Sequence, residues 1–193
     1  MPMNLFYEEY PTSIWVEGEE VPILTDFRSY IQMLDMLKDS ELTSGEKFHL
    51  LQQYFKETPS NFNDALEVLL DFVTMKELPK CGVQEEDDSE EVQIKRKELY
   101  SFSIDYPFIF SAFLQDYGIN LREIPYMHWW EFCILFDGLS EDTEIRKRIM
   151  YRNTDLNEIK DKDERKRIEK IQRLIRLPGY EPTDFDIGDA FGW

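Results

Sequence analysis

The chain has 193 residues, 42% of them hydrophobic and 15% aromatic, which suffices for one ordinary domain or two small lobes with an apolar core. Its 40 acidic and 22 basic residues give a net charge of −18. Such a surface repels nucleic acid and anionic membranes, because affinity for both comes from clustered Lys and Arg. We therefore expect neither as a partner.

The basic residues are concentrated in one stretch of the sequence. Between Glu141 and Arg176 there are 12 Lys or Arg and 9 Asp or Glu, whereas the rest of the chain has 10 basic and 31 acidic residues. This polarity predicts head-to-tail self-association or docking to an oppositely charged partner. The alternative interpretation is a solvated helix face that binds nothing.

The first predicted element is a short β-hairpin. Ile14 and Val16 lie two residues apart, as do Val21 and Ile23, and the acidic segment 17–20 between the two pairs is typical of a turn. An alternation of period two is the pattern of a strand that buries one face.

Three amphipathic helices are predicted after the hairpin. Asp26 is the expected N-cap of the first, and Thr43 with Glu46 has the spacing of a capping box for the second. Ser60 is the expected N-cap of the third helix, which Pro79 ends.

The second half of the chain predicts further helices. Asp105 is the expected N-cap of one that ends at Gly118. Ser140 or Asp142 is expected to begin the next helix. A long charged helix should follow, carrying the apolar positions Leu156, Ile159, Ile168, Ile171 and Ile175.

These elements predict a mainly α fold: a multi-helix domain with a short N-terminal β-hairpin. The expected divisions are an N-terminal hairpin with a helical lobe over 1–79, an acidic linker or loop over 80–98, a C-terminal helical lobe over 99–178, and a flexible acidic and aromatic tail over 179–193. We expect the lobes to form one compact domain overall.

The segment MHWWEFCILF, residues 127–136, is the most apolar helical pattern in the chain. Only His128 and Glu131 add a polar stripe, since residues three apart share a helix face. A helix that is apolar nearly all round is covered, either in its own core or by a partner. The competing interpretation, a catalytic histidine–glutamate pair, has no further support in the sequence.

No other pattern indicates catalysis or a bound group. The sequence has no glycine-rich phosphate loop and no Gly-x-Ser-x-Gly elbow, and its two histidines, His49 and His128, are far apart. We therefore expect no enzymatic activity, no catalytic residues, no cofactor-binding site and no metal site. Two cysteines, no signal-like N-terminal pattern and no long apolar run predict a soluble protein in a reducing cytoplasm.

Several of these segments resemble one protein family. They are VPILTDFRSYIQMLD (21–35), FLQDYGINL (113–121), HWWEFCILFDGLSEDT (128–143) and YRNTDLNEIKDKDERKR (151–167). The chain resembles a family of small acidic proteins from siphophages of Gram-positive bacteria and their prophages, whose genes lie just ahead of the tape-measure gene. The resemblance covers most of the chain and leaves out the acidic loop and the final tail.

The resemblance implies a non-enzymatic tail assembly chaperone. Such a protein binds the tape-measure protein and keeps it soluble in the host bacterial cytoplasm during tail morphogenesis, and is absent from the mature virion. The tail-tube protein is a further expected partner, as is a second copy of the chain. Candidate partner-binding residues are Trp129, Trp130, Phe185, Phe191 and Trp193. The alternative is a structural virion protein of the tail or head–tail connector.

Overall fold

The computed structural model describes residues 3–78 and 98–177. The predicted tail over 179–193 and nearly all of the predicted linker over 80–98 lie outside the described residues. The described chain forms two compact units. Unit 1 consists of residues 3–78 together with Met127–Glu131, and unit 2 of residues 98–126 and 132–177.

The described residues form one two-stranded sheet and seven α-helices, which confirms the prediction of a mainly α protein with a short N-terminal hairpin. The elements are β1 (Ser13–Val16), β2 (Glu19–Pro22), α1 (Phe27–Lys38), α2 (Ser44–Leu51), a 3₁₀ helix (Gln52–Tyr54), α3 (Phe62–Val73), α4 (Phe102–Tyr117), α5 (Trp129–Asp137), α6 (Glu144–Asn153) and α7 (Lys162–Leu174). No helix among them is long and apolar enough to span a membrane.

The hairpin opens unit 1. Glu17 and Gly18 both have positive φ, 50° and 86°, the conformation of a two-residue turn that matches the twist of the strands. Ile14 and Val21 face each other across the strands and are buried, and the hairpin packs against α3. Trp15 points to the opposite face, which is exposed.

Local capping sets where the helices of unit 1 begin. The Asp26 side chain accepts the backbone N–H of Arg28, and Thr43 and Glu46 form the predicted capping box. The prediction for α3 was wrong by one residue: Asn61 is the N-cap. The hydroxyl of Ser60 instead donates to a carboxylate oxygen of Glu19, at 2.6 Å.

In unit 2, the predicted start of α4 was wrong. The helix begins at Phe102 with Ser101 as its N-cap, and Asp105 lies inside the helix, completely buried. The Asp105 carboxylate is held there by an ion pair with Arg152. Gly118 ends the helix as predicted, with a left-handed φ of 67°.

The predicted starts of the last two helices were also wrong. Thr143, rather than Ser140 or Asp142, is the N-cap of α6. Helix α7 begins only at Lys162, because Asp161 is its N-cap. The Asp161 carboxylate accepts the backbone N–H groups of Asp163 and Glu164, each at 2.8 Å. The apolar residues at 156 and 159 therefore precede the helix.

Candidate partner-binding surface

The two tryptophans of α5 are anchored inside unit 1. Trp129 and Trp130 are 3% and 1% exposed. Their indole N–H groups donate to the backbone carbonyls of Val73 and Phe72, at 2.9 and 2.7 Å. Each ring therefore buries its apolar surface and also satisfies its one polar atom, which is how tryptophan is accommodated in a core. The end of α3 provides both acceptors.

His128, immediately before this helix, has a structural role. Its Nδ1 accepts the backbone N–H of Trp130 at 3.0 Å, and its Nε2 lies 3.0 Å from the carbonyl oxygen of Pro11. With Nδ1 as acceptor, Nε2 carries the proton, so the ring is neutral. Burial lowers the pKa of His128, and Tyr10 stacks on the ring at 4.6 Å. Both ring nitrogens are occupied in structural hydrogen bonds.

Helix α4 is fixed in unit 2 by a buried ion pair. The guanidinium of Arg152, on α6, contacts both oxygens of Asp105 at 2.6 and 3.0 Å. It also donates to the carbonyls of Leu99, just before α4, and Ile175, just after α7. The Arg152 side chain thus joins the segments around α4, α6 and α7. Its buried charge is paired with that of Asp105.

An aromatic core fixes the same side of α4. The Phe113 ring stacks on the Phe132 ring, with centroids 5.3 Å apart and an interplanar angle of 10°. Phe102 and Phe136 extend this packing, and on the neighbouring side Arg148 of α6 lies 3.6 Å above the Phe108 ring. The inward side of α4 is therefore held by both aromatic and charged contacts.

The outward side of α4 is apolar and open. Tyr106, Phe110 and Leu114 are 54%, 37% and 56% exposed, and we call these three residues the apolar face of α4. They lie four residues apart, so they form one continuous ridge on the helix. No charged residue occurs from Tyr106 to Gln115, although 32% of the whole chain is charged. An exposed ridge of this kind is typical of a surface that a partner covers.

The five residues that the sequence predicted to bind a partner fall into two groups, one buried and one outside the described residues. Trp129 and Trp130 are buried in unit 1, and their contact with a partner stays a prediction. Phe185, Phe191 and Trp193 lie outside the described residues. The apolar face of α4 is not among the residues predicted from the sequence. The signal that marks it is the ten-residue run without charge, 106–115.

The described residues show no arrangement suited to metal or thiolate chemistry. Within 3–78 and 98–177, no three His, Cys, Asp or Glu side chains are placed to hold a metal ion. Burial, and secondarily the charge of Asp137, raises the pKa of the Cys133 thiol well above its usual value. The thiol is therefore protonated at neutral pH and is a weak nucleophile.

The fold and this surface define a mainly α-helical protein with an exposed apolar helix face. The family model described as "Bacteriophage Gp15 protein" matches residues 6–177, which is most of the chain. The chain belongs to this bacteriophage protein family, and membership supports a role in phage structure or morphogenesis. No curated protein and no solved structure matches the chain.

Proposed function

We propose that the protein is a non-enzymatic tail assembly chaperone that covers apolar stripes of the tape-measure protein through the apolar face of α4. The observation that carries this proposal is the exposed ridge of Tyr106, Phe110 and Leu114 on a helix fixed from behind. Membership of a bacteriophage family and the resemblance of its segments to tail assembly chaperones support the choice of partner.

The geometry of the ridge suits a helical partner. Side chains at a spacing of four form a ridge that packs into the groove between side chains of another α-helix. Two of the three residues are aromatic, and aromatic side chains supply much of the binding energy in protein interfaces. The apolar stripe of an amphipathic helix is therefore the occupant with the best fit.

The distribution of charge also supports this proposal. The absence of charge along 106–115 lets the ridge lose its water without leaving a buried ion. The net charge of −18 keeps the chaperone, and the complexes it forms, soluble. Binding through the ridge should come mainly from apolar contact, so moderate salt should weaken it only slightly.

Co-expression with the tape-measure chain tests this function. Wild-type protein should move that chain from the insoluble to the soluble fraction and co-purify with it. The double variant Tyr106→Asp/Leu114→Asp should fold but fail to do so, because two carboxylates on the ridge must lose water without a partner. The matched control is Phe6→Asp/Tyr7→Asp, which changes two residues 94% and 87% exposed in unit 1. Loss of solubilisation in both variants, or in neither, would overturn the role of the ridge.

Mass spectrometry of purified virions distinguishes this function from the structural alternative. A chaperone acts in the host cytoplasm and leaves before maturation, so its peptides should be absent. A tail or head–tail connector protein would be present in stoichiometric amounts.

Phe185, Phe191 and Trp193 are proposed to recruit a tail-tube subunit. A chain ending at residue 180 should therefore still solubilise the tape-measure chain, while tail assembly fails.

A further inference from the structure

Helix α7 carries an exposed basic stripe in a strongly acidic protein. Its members are Lys162, Lys166, Lys170 and Arg173, which we call the basic stripe of α7. At 3.6 residues per turn, these four positions lie within an arc of about 80° on one side of the helix. All four are exposed, and no residue of α7 is buried.

Within the described residues, the charges of this stripe form few ion pairs. Arg173 meets Glu169 only at 3.4 Å, with both side chains exposed. The three lysines form no ion pair with any residue in 3–78 or 98–177. Leu174, beside the stripe, is 77% exposed. The stripe thus combines exposed positive charge with apolar surface, as interface residues often do.

The outer face of the hairpin has the complementary chemistry. Trp15 is 64% exposed, which is unusual for the largest aromatic side chain. Glu20 stands directly across the strands from it, and Glu17 lies at the adjoining turn, both exposed. We call Trp15, Glu17 and Glu20 the Trp15 face. The region around it is also acidic: residues 3–78 contain 15 acidic and 5 basic side chains.

We propose that the Trp15 face of one copy docks on the basic stripe of α7 of a second copy. A lysine ammonium lies over the indole ring, where tryptophan provides the strongest cation–π attraction among the aromatic side chains. The two glutamates pair with the neighbouring lysines. The charges of the two faces are opposite, and each chain carries both faces.

This contact is heterologous, because it joins two different faces. Each copy in a pair keeps one face free, so further copies add head to tail until the array closes into a ring or remains open. At about 0.1 M salt the Debye length is about 10 Å, so repulsion between the net charges of two copies is screened while adjacent charges still attract. The contact goes beyond the proposed function and needs no tape-measure chain.

Sedimentation velocity of the full chain alone tests the contact. At about 0.1 M salt the average mass should rise with protein concentration, and about 1 M salt should reverse the association, since the Debye length falls to about 3 Å. Trp15→Ser and Lys166→Glu/Lys170→Glu should each weaken the association by about tenfold or more. The matched control, Lys147→Glu/Lys160→Glu, makes the same change in net charge outside α7 and should associate as the wild type does.

Mixing two variants adds a positive test. Trp15→Ser/Glu20→Gln keeps a working basic stripe, and Lys166→Gln/Lys170→Gln keeps a working Trp15 face. Each alone should associate about tenfold more weakly than the wild type, while a mixture forms one-to-one complexes through its one intact pair of faces. A wild-type protein that stays monomeric at all concentrations would overturn the proposal. Association that neither Trp15→Ser nor Lys166→Glu/Lys170→Glu weakens would also overturn it. A mixture of the two complementary variants that forms no complex would do the same. None of these results bears on the solubility of the tape-measure chain.

Discussion

Helices α4 and α7 belong to the same unit and differ in almost every physical respect. Helix α4 buries a carboxylate and an aromatic side, yet its outward side is apolar and carries no charge between 106 and 115. Helix α7 buries no residue and carries six basic and three acidic side chains between Lys162 and Leu174. One helix is part of the core with an open contact face, and the other lies on the surface.

The same unit therefore presents two surfaces whose contacts should respond differently to salt. Contact through the apolar face of α4 depends on removing water from aromatic and aliphatic groups, and salt changes this little. Contact through the basic stripe of α7 depends on exposed charges, and salt screens these strongly. The two proposed contacts should therefore respond differently to salt.

The largest expected difference concerns the ion pairs of the two helices. Arg152→Met should lower the free energy of unfolding by about 3–5 kcal/mol, because it leaves the buried Asp105 carboxylate without its partner. Arg173→Met breaks the exposed pair with Glu169 and should cost no more than about 1 kcal/mol. Urea denaturation of both variants measures the contrast. Equal losses would contradict the distinction between a core helix and a surface helix.

A similar loss is expected in unit 1. Trp130→Ala should destabilise the protein by about 3–5 kcal/mol, because the ring is buried and its N–H bonds to Phe72. Trp15→Ala removes an exposed indole from the same unit and should leave the melting temperature nearly unchanged. A wild-type melting temperature in Trp130→Ala would show that the ring is not a core residue.

A matched pair of isoleucines gives a smaller contrast between α4 and α7. Ile109→Ala on α4 removes a residue that is 2% exposed, and should cost about 2–5 kcal/mol. Ile168→Ala on α7 removes a half-buried residue, and we expect a loss of about 1 kcal/mol. The same denaturation experiment measures both. A larger loss at Ile168 would mean that α7 is anchored more firmly than its exposure indicates.

The smallest effect concerns pH and His128. Its pKa is lowered in the folded protein, so the unfolded chain binds more protons as the pH falls below 6.5. The wild type should therefore lose stability as the pH falls through this range. His128→Asn keeps an acceptor for the N–H of Trp130 without a titrating ring. The difference in unfolding free energy between the two proteins should change with pH, and a constant difference would contradict the assignment of a neutral His128.

Local signals in the sequence predicted part of the fold well. The alternation around Glu17 and Gly18 predicted the hairpin, and the spacing of Thr43 and Glu46 predicted the capping box. Gly118 was recognised as a helix end because a left-handed residue there favours glycine. Each of these features depends on residues that lie within about ten positions of each other, so the spacing in the sequence is sufficient to predict it.

Features that depend on distant partners were not predicted. Asp105 is of a residue type that often caps helices. Its ion pair with Arg152, 47 residues away in the sequence, stabilises it inside α4. Met127–Glu131 groups with unit 1, and this depends on carbonyls at the end of α3 that accept the two indoles. The exposure of Leu114 also depends on tertiary packing. Apolar residues occur on every side of α4, so the sequence alone does not show which side is exposed.

The most direct test of the central claim is site-specific photo-crosslinking to the tape-measure chain. A photoreactive phenylalanine analogue at Phe110, in the middle of the apolar face of α4, should give a crosslinked product with that chain. The same analogue at Phe6, which is 94% exposed in unit 1, should give none. The yield from position 110 should persist in moderate salt, since the contact is apolar. A complex that still forms but crosslinks from position 6 and not from position 110 would contradict the account.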